Sequence, residues 1–198
     1  MGLLTESFFV NLTYSELNYN LMKIKYLIPV VFLLAFGTFS SCDLLDKADD
    51  VSFDTTLPLT FVINETADNP GGKAYAATQL LDAASDPEVA KYASKIKEFK
   101  VNRITYSISS VNPSGVTFNS GEIVVNSTGT KIATAGNVAL TSVSDVELTA
   151  NTAGFNELAT KLLDDKKEEI KLQGTFTKTP IAFTLSCKFY VTITANAL

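Results

Sequence analysis

From residue 56 onward, apolar and polar side chains alternate in short runs separated by Gly, Pro, Asn and Ser. Leu57-Pro-Leu59-Thr-Phe61-Val-Ile63 has a period of two and predicts a strand, which Pro58 confines to a sheet edge or a strand start. Asp68-Asn-Pro-Gly-Gly72 breaks the chain. Between Ala74 and Asp82 the alanines favour a helix, yet Tyr75, Ala77, Gln79 and Leu81 line one face of a strand, and strand is the reading adopted. Val101 to Val111 alternates again and turns at Asn112-Pro-Ser-Gly115. Val116–Phe118 and Glu122–Val125 continue the pattern across Asn119-Ser-Gly121, a predicted bulge or kink. Further strands are expected at Lys131–Thr134, Val138–Leu140, Val146–Thr149, Ile170–Phe176 and Ile181–Thr194, the last two parted by Lys178-Thr-Pro180.

Two segments change period. Ser85-Asp-Pro-Glu88 has capping-box spacing with Pro87 in the first turn, where its missing N–H costs nothing. Val89, Tyr92, Ala93 and Ile96 then fall on one face, predicting a helix that ends near Phe99. Phe155, Leu158, Ala159, Leu162 and Leu163 recur at helical spacing, with Asn156, Glu157, Lys161 and Asp164 opposite, so 154–166 reads as an amphipathic helix.

Seven to nine short strands, two short amphipathic helices and regularly spaced turns predict a mainly β domain over 56–198, an antiparallel β-sandwich of Ig-like type. Its plan resembles the Ig-like sandwich of the late-embryogenesis-abundant type 2 (water-stress) family.

Upstream the pattern is different. Lys23-Ile-Lys25 precedes an 11-residue apolar run, Tyr26 to Phe36, followed by Gly-Thr-Phe-Ser-Ser-Cys42. The run contains Pro29 and falls short of the roughly 20 apolar residues a spanning helix needs. Small Ser40 and Ser41 suit the shallow pockets of a signal peptidase, so 22–41 reads as a signal peptide. Phe39-Ser40-Ser41-Cys42 resembles the lipobox of bacterial lipoproteins, with Phe39 in place of the usual Leu. The resemblance implies cleavage between Ser41 and Cys42 and a lipid on the Cys42 sulfur, hence a covalent membrane anchor. Met22 followed by Lys23 has the form of a bacterial start, and residues 1–21, with two Glu and no Lys or Arg, read as a mis-called start. Met1-Gly2 fails the myristoylation pattern because position 6 is Glu.

Four acids follow the cysteine: Asp43, Asp46, Asp49 and Asp50. They resemble the surface-export signal of Bacteroidota lipoproteins, which implies a place on the outer face of the outer membrane. Residues 42–55 are expected to be an acidic tether, and a solvated spacer is the alternative reading of the same acids.

Composition narrows the chemistry. With no His and no Trp, the chain cannot build a Ser-His-Asp or Cys-His apparatus, an HExxH zinc site or a His-ligated haem. The formal charge of −5 argues against a nucleic-acid partner. Once Cys42 carries lipid, Cys187 has no cysteine to pair with, and its apolar, β-branched surroundings predict a buried, inert thiol.

No nucleotide-binding, CxxC or GxSxG motif is present. Ser94-Lys-Ile-Lys97 matches SxxK but lacks its SDN and KTG partners. Asp164-Asp165 and Glu168-Glu169 flank Lys166-Lys167 and read as a self-neutralising helix end, and the Asp43–Asp50 acids lack the spacing of a calcium loop. Lys91 and Lys95, with Lys97, Lys100 and Arg103 nearby, form a basic patch suited to an anionic glycan or headgroup. The expectation is a lipid-anchored module without catalysis, cofactor or metal, for binding, adhesion or envelope assembly with a protein or glycan partner. A hydrolase working through carboxylates alone and a carrier of a small apolar ligand are the alternatives.

Overall fold

The computed structural model describes residues 49–197. The expected signal peptide 22–41, the cleavage and lipidation residues Ser41 and Cys42, Asp43, Asp46 and residues 1–21 lie outside the described residues.

Nine strands and two helices make up the described domain: β1 (Asp50–Asn69), β2 (Lys73–Asp82), a 3-10 turn (Ala83–Ser85), α1 (Pro87–Tyr92), β3 (Ile96–Asn112), β4 (Thr117–Val125), β5 (Lys131–Ala139), β6 (Val143–Glu147), β7 (Thr149–Ala150), α2 (Thr152–Asp165), β8 (Lys167–Phe176) and β9 (Thr179–Asn196). They form two sheets, β1-β9-β3-β6 and β2-β8-β4-β5-β7, with every pairing antiparallel. The antiparallel sandwich with two helices is therefore the architecture of the domain. Its wiring within that class is a rolled ribbon: β1 pairs with β9, β2 with β8, β3 with β6 and β4 with β5. Folding that ribbon over once adds the β9–β3 and β8–β4 pairs, which close the two sheets. This is the order of a jelly roll rather than of an immunoglobulin sandwich.

Period two carries most of the core. Along β9, Ile181, Phe183, Leu185, Cys187, Phe189, Val191, Ile193 and Ala195 are buried, while the residues between them stay partly exposed. Leu57, Leu59, Phe61 and Ile63 of β1 face the same interior. Phe118, Phe176 and Tyr75 cluster at centroid distances of 4.9, 5.1 and 6.5 Å, with Phe183 edge-on to Phe176 at 6.0 Å. Pro58 sits on β1, an edge strand, as its missing N–H requires. The segment Ala74–Asp82 is a strand, and β4 runs through Asn119-Ser-Gly121 with shifted register there.

Four expectations need correction. The tether does not extend to residue 55, because Asp50 to Thr55 already pair with Asn196 to Val191; Val51 and Phe53 alternate with polar residues there, and Phe53 packs on the core. The helix after Ser85 is capped by Asp86, whose carboxylate accepts from the N–H groups of Glu88 and Val89, and it stops at Tyr92. Residues from Ile96 on join β3 because β9 offers them a partner strand, and Phe99 is buried there. Finally, the runs 131–134 and 138–140 belong to one strand up to Ala139, while the 146–149 run is split between β6 and β7.

The second helix stands almost as expected. Asn151 caps α2 by accepting from Gly154 N–H, and Lys166 ends it in the left-handed conformation with φ 61°. Phe155, Leu158 and Leu162 are buried; Leu163 and Ala159 are only partly so. Gly154 lets the helix start lie against the backbone of Lys131 and Ile132 on β5.

Candidate functional site

Since the inner faces of both sheets are committed to packing, exposed chemistry has to be sought on the outer faces and at the ends. The outer face of the β1-β9-β3 sheet carries Thr184, Ser186, Lys188, Tyr190, Thr192 and Thr194 from β9. Opposite them stand Asp54 and Thr56 of β1, paired with Thr192 and Tyr190, and Lys100 and Arg103 of β3, paired with the same two residues.

One irregularity shapes this face. The register of β3 against β9 shifts between Val101 and Arg103, so that Asn102 is an extra residue. A bulge of this kind turns two consecutive side chains towards the same side. Asn102 Nδ2 donates to Thr192 Oγ1 at 2.8 Å, and Thr192 Oγ1 donates to Asp54 Oδ1 at 2.6 Å. Beside this chain the Arg103 guanidinium lies over the Tyr190 ring, 3.9 Å from its centroid. Cation–π stacking fixes the plane of the guanidinium while leaving its N–H edge free to bind. Asp54, Thr55, Thr56, Asn102, Arg103, Tyr190 and Val191 together line a shallow depression of about 270 Å³.

Neighbouring polar groups serve the fold. Lys188 pairs with Asp145 at 2.8 Å, and Asp145 N–H donates to Ser107 Oγ, fastening β6 to the sheet. The Lys188 and Ser144 bonds hold the Asp145 carboxyl below its usual range. Thr55 Oγ1 donates to Asp86 at 2.6 Å, tying β1 to the cap of α1.

The residues singled out in the sequence are dispersed. Lys91 is in the last turn of α1, with its ammonium 4.8 Å from the Tyr92 ring centroid. Lys95 lies beyond the helix, where its carbonyl accepts from Asn196 N–H. The two lysines thus share no helix face, because the helix is one turn too short. Lys97 pairs with Asp50 at 2.6 Å, so one of the four acids assigned to export is part of the folded domain, and Ser94-Lys97 is a turn-and-strand segment rather than a helical SxxK. Asp49 immediately precedes β1.

Of the carboxylates flanking Lys166-Lys167, Glu168 and Glu169 lie on β8 rather than at a helix end, and both have structural partners. Glu168 accepts from Ser127 Oγ at 2.9 Å and Glu169 from Asn126 Nδ2 at 2.8 Å, so both hold the turn after β4. Half-buried Glu122 accepts from Lys131 at 2.6 Å and from Gln173 at 3.0 Å. Lys131 first, and Gln173 after it, hold the Glu122 carboxyl below its ordinary value, opposite to the raised value a general acid requires. The interior space between the sheets, lined by Tyr106, Ile108, Phe118, Leu140, Leu172 and Cys187 among others, is about 40 Å³. That is far below the volume of a ligand pocket, which runs to about 300 Å³ or more. Cys187 itself is 1% exposed, and burial pushes its thiol up to about 12.

No helix among the described residues is long and apolar enough to cross a membrane. No known protein family matches the chain, and no curated protein does. Similar solved structures include a "decameric BFDV Capsid Protein" at 12% identity, covering 73% of this chain and 98% of that one with a TM-score of 0.39. Tobacco necrosis virus follows at 11% identity, 73% and 95% coverage and a TM-score of 0.37. Desmodium yellow mottle tymovirus matches at 13% identity, 75% and 89% coverage and a TM-score of 0.34.

Proposed function

We propose that the protein is a lipid-anchored, non-catalytic binding module of the bacterial outer surface, tethered through Cys42 and presenting the outer face of the β1-β9-β3 sheet. The observation that carries the binding half is the Arg103–Tyr190 stack beside the Asn102–Thr192–Asp54 chain. These groups stand on a solvent-facing sheet surface, lie around an open depression, and include the exposed guanidinium of Arg103. The sequence supports the anchor, through the signal at 22–41 and the small residues before Cys42.

Placing the start of β1 at Asp50 shortens the tether to 42–49. From Cys42 to Asp50 the chain can extend by at most about 28 Å. A module on so short a lead would work close to the membrane, against envelope glycans or other envelope components. Asp43, Asp46 and Asp49 remain the proposed export signal; Asp50 has the additional task of pairing with Lys97.

The test has two arms. Intact-cell proteolysis and membrane extraction of the wild-type chain and of Cys42→Ala check the anchor: the variant should no longer partition with membranes. Binding of the detergent-solubilised full chain to an array of neutral and acidic glycans checks the face. A ligand retained by wild type should be lost when Asp54, Arg103 and Tyr190 are replaced together by Ala. If every bound glycan is kept by that triple variant, the face is not the binding surface.

A further inference from the structure

We infer that the depression on the outer sheet face recognises a carboxylate-bearing sugar, a uronic-acid unit of an acidic polysaccharide, with Arg103 as the residue that takes the carboxylate. The inference rests on the binding reading above and names its ligand class.

Three features point the same way. The bulge at Asn102 places an amide and a guanidinium side by side on one face, where an unbroken strand would send one of them into the core. The Tyr190 ring at 3.9 Å holds the guanidinium plane, so its fork is pre-oriented for a planar, bidentate partner. Around the fork the depression offers groups a sugar ring uses, namely the Asn102 amide, the Thr56 side chain and the Asp54 carboxylate.

Charge selects among anions. Within the depression one cation, Arg103, is accompanied by one anion, Asp54, with Lys100 on the adjoining register position. A monoanionic carboxylate balances that set. A phosphate near −2 would meet the Asp54 charge as well as the guanidinium, and the hydroxyl-binding groups would be left without partners. A neutral sugar leaves the fork unpaired. Because the Arg103 side of the Tyr190 ring is already covered, sugar stacking on that side is not available, and the recognition is polar.

The experiment is calorimetric titration of the detergent-solubilised full chain with three probes: a tetragalacturonate, its fully methyl-esterified form, and inorganic phosphate. Methyl esterification neutralises each carboxylate and keeps the ring hydroxyls. The expected result is saturable binding of the acid, weakened about tenfold or more by esterification and by Arg103→Ala, with no competition from phosphate. Arg103→Lys should recover only part of the affinity, since an ammonium lacks the fork. Near-identical melting of the variants and wild type guards against misfolding, because Arg103 is exposed. Equal affinity for acid and ester, or an acid affinity untouched by Arg103→Ala, would overturn the assignment. So would phosphate competing at similar concentration. No binding of any uronate, with a neutral glycan lost in the triple variant, would overturn the ligand class while leaving the face as a binding surface.

Discussion

Replacing Gly154 by Ala sets two effects of opposite sign against each other. In an exposed helix interior the change would favour folding by about 1 kcal/mol, because Ala is the better helix former. In α2, however, an added Cβ would stand 2.6 Å from Ile132 Cα and nearer still to the Lys131 carbonyl oxygen. Ordinary contact begins near 3.4 Å, and the obstacles are backbone atoms of a paired strand. From the Lys131 oxygen, 1.9 Å away, the helix start must therefore retreat by about 1.5 Å to reach 3.4 Å, drawing with it Phe155, Leu158 and Leu162, all buried. Overpacking of that size typically costs about 1–3 kcal/mol, so the net effect should be a loss, with the propensity gain offsetting only part of it. Gly71 supplies the control, since its nearest neighbour would be 3.6 Å away. Gly71→Ala should be neutral or stabilising by up to about 1 kcal/mol. Urea denaturation followed by circular dichroism measures both variants at unchanged slope. A Gly154→Ala chain as stable as wild type would refute the reasoning, for it would mean that α2 does not lie on β5 as described.

Four further outcomes are expected. Leu162→Ala should cost about 2–5 kcal/mol and Lys161→Ala under about 0.5, read from the same denaturation curves, because Leu162 is fully buried. With its thiol pushed up to about 12, Cys187 holds about one part in ten thousand as thiolate at pH 8, so a thiol reagent should label it slowly in the native protein and fast in urea. Burial opposes ionisation of Asp86, but Thr55 and the N–H groups of Val89 and Glu88 outweigh it and hold the carboxyl below its ordinary value. Its stabilising contribution should be complete above about pH 4 and fade as pH falls through the lowered value; Asp86→Ala should cost about 0.5–2 kcal/mol at pH 7 and flatten that acid limb in pH-dependent melting. Replacing Asp43, Asp46 and Asp49 by Asn should leave the melting temperature unchanged while protecting the protein from protease added to intact cells; unaltered digestion would make these acids a spacer.

What the sequence revealed divides along a physical line. α2 was legible because its apolar stripe is wide and its opposite side charged, and one reading satisfied propensity, pattern and burial together. The bend in β4 was legible because Asn119-Ser-Gly121 interrupts an alternation that resumes beyond it. The first helix was overextended because Val89, Tyr92, Ala93 and Ile96 satisfy a helical period, whereas the β9 ladder, distant in sequence, decides the fate of Ile96 to Phe99. The same ladder accounts for Asp50 to Thr55, where the short alternation of Val51 and Phe53 with polar residues is easily passed over beside the acids of the expected tether. The Arg103–Tyr190 stack joins residues far apart in the chain and could not be read directly. A trace of it was present: buried Phe99 and Val101 are followed by buried Ile104 and Ile108, a slip of one position in the alternation that marks the bulge at Asn102.

That β9 lies between β1 and β3 makes the completed length of the chain a condition for folding. The first strand of the domain finds its partner only in the last, Asp50 against Asn196, so the largest sheet contacts must wait for the widest loop closure. A chain cut off before residue 179 would leave β1 and β3 with no neighbour between them and their apolar faces uncovered. Such a fragment is no smaller version of the domain but an aggregation-prone ribbon, open to proteases. Closure of the β1-β9-β3 sheet is thus the step on which compaction of the domain waits.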